Sequence, residues 1–223
     1  MVVNCIGVIK QLPGAHDPIV SIGINSLFPH RLRALCHAAG ARLIHVSTDC
    51  VFSGRKGMYA EADPSDAEDL YGRSKFLGEV GGEGAVTLRT SIIGRELSGT
   101  SGLVEWFLAQ RGGKAEGYSR AIFSGLTSIA LARVILDVAA SHPELSGVYH
   151  VSVDPISKLD LLRLLNDAFD ARVEIAPNDR VAIDRSLDSS RFRAATGFTP
   201  PSWPDLVREM AEDAKPYDHW RSR

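Results

Sequence analysis

The sequence lacks the features that mark several protein classes. It has only three cysteines, Cys5, Cys36 and Cys50. That number is odd and the spacings match no zinc pattern, so neither a disulfide framework nor a thiolate metal site is expected. Buried free thiols in a reducing compartment, the cytoplasm, are the expectation instead. The seven histidines are scattered without an HxxxH pair, so no metal is expected. Charge of one sign is also missing, with 25 Lys and Arg against 27 Asp and Glu. No basic stripe stands out, and nucleic acid is not an expected partner. No apolar run approaches the ~18 residues of a membrane span. The apolar start, Met1-Val2-Val3-Asn4-Cys5-Ile6, has no basic stretch and no small-residue cleavage site, and does not read as a signal peptide. Internal repeats and low-complexity tracts are absent.

What is present fits a folded α/β chain. The 223 residues are 44% apolar and 23% charged, enough for one large domain or one and a half, and too apolar for intrinsic disorder. Short apolar runs alternate with helical patterns. Residues 2–6 predict a strand, and Asp17-Pro18 opens a helix that Gly40 ends. Phe28, Leu32, Leu35 and Ala39, spaced by four, three and four, predict its buried face. Strands are predicted at 42–47, 86–88, 147–151 and 173–175, and helices at 68–80 and 103–110. Thr127 and Ser157 are placed to cap two further helices, and the chain closes with helices at 188–196 and 205–211. This alternation implies βαβ units and a parallel sheet.

Ligands of a doubly wound sheet bind beyond the carboxyl ends of its strands. Three such ends are informative: Asn4-Cys5-Ile6-Gly7, Ser47-Thr48-Asp49-Cys50 and Arg89-Thr90-Ser91-Ile92. Between the last two lies Tyr71-Gly72-Arg73-Ser74-Lys75. Four residues apart on a helix, Tyr71 and Lys75 share a face. An ammonium beside a phenol is expected to lower its pKa from ~10. Such a tyrosine can give a proton to a carbonyl oxygen, and Thr48 could hydrogen-bond the same oxygen. Singly, the Tyr–Lys pair is usually a solvated helix face, and the Ser-Thr-Asp run usually a turn or a helix cap.

Together and in this order, these segments resemble the extended short-chain dehydrogenase/reductases, and within them the dTDP-4-dehydrorhamnose reductase family. The resemblance runs through residues 2–7, 41–54, 70–79, 87–94, 147–151 and 185–192. It implies a Rossmann-like doubly wound parallel sheet with a smaller C-terminal α/β substrate lobe. Residues 1–94 and 126–152 would form a partial dinucleotide-binding domain, and 95–125 with 153–223 the substrate lobe. It implies reduction of a keto-sugar nucleotide by NADPH or NADH, in deoxysugar or surface polysaccharide biosynthesis, with a homodimer as a possible assembly and no membrane partner.

Carried over by position, Thr48, Tyr71 and Lys75 would be catalytic. Asn4, Ile6, Gly7, Ser47, Lys75, Thr90, Ser91 and Ile92 would meet the cofactor. Asp49, Ser124 and Arg185 are the candidates for substrate contact. Arg185 could equally be a surface arginine, and Asn25, which matches an Asn recurring in the superfamily, could equally be a helix-packing amide. Two departures bear on substrate. Cys50 stands where dehydratases of the superfamily carry an acidic residue and where the reductases carry an aromatic. The segment 185–192 lacks the family's Pro spacing.

The family also opens with a strand, a GxxGxxG turn and a helix that grips a pyrophosphate. That turn is not found in this sequence. The first strand here matches the family's fourth, a difference of roughly sixty residues, which fits two βαβ steps of ~30. An internal start and a truncated form both remain open. A catalytically silent sugar-nucleotide-binding or regulatory protein on the same fold is the alternative reading.

Overall fold

The computed structural model describes residues 1–97 and 99–213. The expected second lobe therefore reaches outside the described residues at position 98 and over 214–223.

The chain begins with β1 (Val2–Asn4), shorter than the predicted strand. Asp17 then accepts from the amides of Ile19 and Val20 and starts α1 (Pro18–Ser21), with Pro18 in the first turn. A wide turn of π geometry, Ile22–Leu27, leads directly into α2 (Phe28–Ala38). The expected buried face is corrected by the packing of α2. Leu35 is 68% exposed while Asn25, Ser26, Pro29 and Cys36 are buried, and Leu32 packs partly buried beside Cys36.

β2 (Leu43–Thr48) follows, then α3 (Leu70–Leu77), whose N-cap Asp69 accepts from the Gly72 amide. The helix ends at Gly78, short of the predicted residue 80, and Gly78 lies against the Asn25 carbonyl, where a Cβ would sit 1.8 Å from the oxygen. β3 (Ala85–Thr90) and β4 (Ile92–Ile93) come next, followed by α4 (Leu103–Leu108). Three short strands, β5 (Lys114–Tyr118), β6 (Ala121–Phe123) and β7 (Leu126–Thr127), precede α5 (Ser128–Ser141), which Thr127 caps as expected. β8 (Gly147–His150) and β9 (Ile156–Ser157) lead to α6 (Lys158–Ala168), capped by Ser157. β10 (Glu174–Asn178), β11 (Ile183–Asp184), α7 (Ser190–Thr196) and α8 (Trp203–Glu212) complete the described chain.

β1, β2, β3 and β8 form a parallel sheet in that order. Every residue of β2 and β3 is buried, the pattern of central strands covered on both faces. On one face, Ile44, Val46, Val86 and Leu88 pack with Leu131, Val134 and Val138 of α5 and with Leu161 and Leu165 of α6. Each such side chain contributes about 1.5–3 kcal/mol when fully buried. On the other face, Leu43 and Ala85 pack against Cys36 and Val80. Three small sheets, β10-β5, β11-β6-β9 and β4-β7, lie outside the main one. β1 is an edge, with Val3 43% exposed.

Candidate active site

The carboxyl ends of β1, β2 and β3 open into a cleft of about 590 Å³. The cleft exists there because parallel strands turn into loops at that end while their helices pack along the faces. Among the expected residues, Ile6, Gly7, Ser47, Thr48, Asp49, Tyr71, Lys75, Thr90, Ser91, Ile92 and Arg185 line it. Asn4 and Ser124 do not. Asn4 is buried under the loop, where its amide nitrogen lies 3.0 Å from His45 Nδ1 and its oxygen accepts from the Ile6 amide. Ser124 is also buried, and its hydroxyl accepts from the Leu187 amide at 2.9 Å. Both are tied up holding the backbone that shapes the cleft.

Thr48 ends β2. Its hydroxyl accepts from the Cys50 amide and donates to Asp49 Oδ1, each at 3.1 Å, which fixes the turn Asp49–Val51. α3 lies directly on that turn. A Cβ at Gly72 would come within 2.2 Å of the Cys50 carbonyl oxygen, so only glycine permits this approach. The close contact is what brings Tyr71 to Thr48 and Cys50.

The expected effect of Lys75 on Tyr71 is not what the structure shows. Burial pushes the Tyr71 phenol above its ordinary value, neighbouring Cys50, Asp49 and Asp69 push it further, and a hydrogen bond with Thr48 only partly opposes them. The Lys75 ammonium instead donates to the Val46 carbonyl at 2.8 Å. Burial brings Lys75 down to about 8, against the pull of Glu79 and Cys5. A protonated phenol is the form that can donate a proton.

Asn25 has a clear task. It is fully buried, accepts from the Val8 amide at 2.8 Å, and donates to the Val8 carbonyl and the Ser74 hydroxyl. It thus clamps the loop after β1 against α3. A Cβ on Gly7 would lie 3.4 Å from Asn25 Oδ1 and 3.8 Å from Lys75 Nζ. Beneath the cleft, Arg89 and Glu79 form a buried ion pair at 2.7 Å, to which Ser47 donates. Arg89 also reaches His150, whose pKa burial lowers.

Three contributors were not expected from sequence. Lys10 lines the cleft, pairs with Asp69 at 2.8 Å and lies 5.6 Å from the Tyr71 ring centroid. Lys158 enters from the start of α6. Cys5 lines the cleft and is exposed, unlike the buried thiol expected. Cys50 is partly buried, and burial followed by Asp49 lifts its thiol to about 11. It is a neutral thiol at pH 7, not the carboxylate of a dehydratase.

Residues 2–215 match the RmlD substrate-binding domain family. The chain belongs to that family. The chain is 37% identical over 189 residues to the spore coat polysaccharide biosynthesis protein SpsK of Bacillus subtilis, across 78% of this chain and 65% of SpsK. It is 36% identical over 84 residues to a dTDP-4-dehydrorhamnose reductase of Mycobacterium tuberculosis, across 35% of this chain and 28% of that protein. It therefore spans less than two thirds of the length of these curated relatives. The structure of dTDP-4-dehydrorhamnose reductase from Bacillus anthracis, in complex with NADP, superposes with a TM-score of 0.79 at 21% identity. That match covers 96% of this chain and 80% of the other, and establishes the shared α/β Rossmann-like fold. Among the described residues of this RmlD-family chain, no helix is long and apolar enough to cross a membrane.

Proposed function

We propose that this RmlD-family chain serves the NAD(P)H-dependent reduction of a keto-sugar nucleotide. The observation that carries the reading is the meeting of Thr48, Tyr71 and Lys75 in one cleft at the carboxyl end of a parallel sheet. The residues fit the nicotinamide end of a dinucleotide. The loop after β1 is clamped by Asn25, and Gly7 lies against Asn25 and the Lys75 ammonium. Ile6, Gly7, Lys75 and the strand end 90–92 would hold that end, with Lys75 on the ribose. A bound reduced nicotinamide supplies the hydride. Tyr71 donates its phenolic proton to the substrate carbonyl oxygen, and Thr48 orients that oxygen. As hydride reaches the carbonyl carbon, the C=O π pair moves to oxygen and takes the Tyr71 proton, so a carbonyl becomes an alcohol. Asp49 and Arg185 contact the substrate.

In this reading the four-stranded sheet, drawn from 1–94 and 126–152, serves the cofactor. The small sheets of 95–125 and 153–223 form the substrate lobe. SpsK and the mycobacterial reductase support a role in deoxysugar or surface polysaccharide synthesis. The reading puts the chain in the reducing cytoplasm, in keeping with its free thiols. The test is oxidation of NADPH or NADH dependent on a 4-keto-sugar nucleotide. Turnover supports the reading. Ligand binding without turnover by the full-length protein would instead favour a silent binding or regulatory role.

A further inference from the structure

A row of polar side chains crosses the sheet beneath the cleft, and the proton-transfer chemistry gives it no task. Ser47, Arg89 and His150 are register partners on β2, β3 and β8, so they share one face of the sheet. Ser47 lines the cleft and donates to Glu79 Oε1 at 2.7 Å. Arg89 meets both oxygens of the same carboxylate, each at 2.7 Å. Its remaining terminal nitrogen donates to His150 Nε2 at 3.2 Å. His150 ends β8, is fully buried, and donates from Nδ1 to the Tyr59 carbonyl at 2.9 Å. Burial lowers its pKa to about 4, so the ring is neutral at pH 7 and one nitrogen is free to accept.

Tyr59 is where this row meets the segment that follows Arg185. Its carbonyl also accepts from the Asp188 amide at 2.8 Å, and its own amide donates to the Ser186 carbonyl at 2.9 Å. A parallel bridge pairs it with Leu187. Its ring stacks on Phe52 with centroids 4.2 Å apart, and the Phe52 and His150 rings meet nearly at right angles, 5.7 Å apart. The Phe52 carbonyl in turn accepts from Arg185 Nε at 2.9 Å. Arg185 directly precedes Ser186 and lines the cleft. His150 therefore joins the floor of the cleft, through Arg89, to the loop that holds residues 186–188.

We propose that His150 is a positioning residue for the substrate: by joining Arg89 to the Tyr59 carbonyl, it fixes residues 186–188, and with them Arg185, relative to the cleft. The proposal rests on the sugar-nucleotide reading of the cleft, in which Arg185 contacts the substrate. No buried side-chain nitrogen or oxygen of Ser47, Glu79, Arg89 or His150 lacks a hydrogen-bond partner. A buried network satisfied in this way holds its members rigidly, and removing one member leaves its partners unpaired. Ser47 stays bonded to Glu79, which keeps Arg89, when His150 is lost. The loss should therefore reach the substrate side of the cleft and spare the cofactor side.

Calorimetric titration of the full-length protein with dTDP-glucose, UDP-glucose and NADPH tests this without turnover. His150→Met and His150→Gln have side chains of similar length, but only glutamine offers both a donor and an acceptor. His150→Met should weaken sugar-nucleotide binding by about 3–10-fold, the worth of one hydrogen bond, and leave NADPH affinity within about twofold. Amide hydrogen exchange at Tyr59 and Asp188 should quicken in the same variant. His150→Gln should restore most of both losses. His150→Asn, which reaches one partner only, should show the selective loss too, and reads the effect if His150→Met does not fold. Wild-type sugar-nucleotide affinity in His150→Met and His150→Asn would overturn the proposal. So would an equal loss for NADPH, or a His150→Gln variant as impaired as His150→Met. A wild-type protein that binds neither sugar nucleotide overturns the sugar-nucleotide reading and the proposal with it. If binding depends on His150 but the protein does not oxidise NADPH, the proposal stands and the reductase reading alone fails.

Discussion

Lys75 donates from its ammonium to the carbonyl oxygen of Val46 at 2.8 Å, although Tyr71 stands one turn away on the same helix. The bond ties α3 to β2 and draws the cation toward the sheet, beside Gly7. Tyr71 is left under the influence of burial and its acidic neighbours, which keep its proton on. These different settings support the proposed roles, Tyr71 for the proton and Lys75 for the cofactor.

Tyr71→Phe in the full-length protein should lower kcat by about 10²–10⁴-fold, the usual contribution of a positioned acid. Loss of its hydrogen bond with Thr48 should cost only about 1 kcal/mol of stability. Steady-state kinetics with a 4-keto-sugar nucleotide decides it, and near wild-type turnover would remove Tyr71 from the proton-donor role.

Lys75 should make stability depend on pH in the alkaline range. Its pKa is about 8 folded against 10.5 as the ordinary value. Between these values the unfolded chain binds more protons, so stability rises with pH. The burial cost is fully present below pH 8 and is relieved as pH approaches 10.5. For this buried group the shift corresponds to about 3 kcal/mol. Urea unfolding of the wild type and Lys75→Met at several alkaline pH values should show the wild type gaining relative to the variant. Parallel curves would contradict it.

Gly72→Ala should separate α3 from the turn at Asp49–Val51. The new methyl would meet the Cys50 carbonyl at 2.2 Å and Ala67 Cβ at 2.6 Å, and rigid backbone on one side leaves little room to yield. Overpacking of this kind costs about 1–3 kcal/mol. Because Tyr71 is the adjacent residue, activity should fall further than stability alone explains. A variant with wild-type melting temperature and kcat would show that the contact is dispensable.

The 223-residue chain should self-associate through β1. That strand is paired with β2 on one side only among the described residues, and Met1, Val3 and Ile6 are exposed around it. Unpaired strand groups beside apolar side chains template further pairing, and an edge lysine blunts it. Sedimentation should show Val3→Lys less associated than wild type. A wild-type chain that remains monomeric as concentration rises would refute this.

Much of the fold was legible in local sequence. Asp17, Thr127 and Ser157 mark helix starts through their own side-chain oxygens. The apolar runs of β2 and β3 and the alternation with helices determine the parallel sheet, because these signals act within a few residues. The Tyr71 and Lys75 spacing and the strand-end Thr48 likewise identify the cleft. Tertiary structure alone decided the rest. Packing of α2 through Pro29 and Cys36 left Leu35 outward, and the short strands β5, β6, β9 and β11 exist only through their pairing partners. Asn4 and Ser124 were drawn away from the cleft by His45 and Leu187, and Lys10 and Lys158 were brought to it from loops and helix ends distant in sequence. The side to which a long cation turns depends on desolvation and on acceptors many residues away, as with Lys75 and Val46. Such choices are made by packing, which no local pattern encodes.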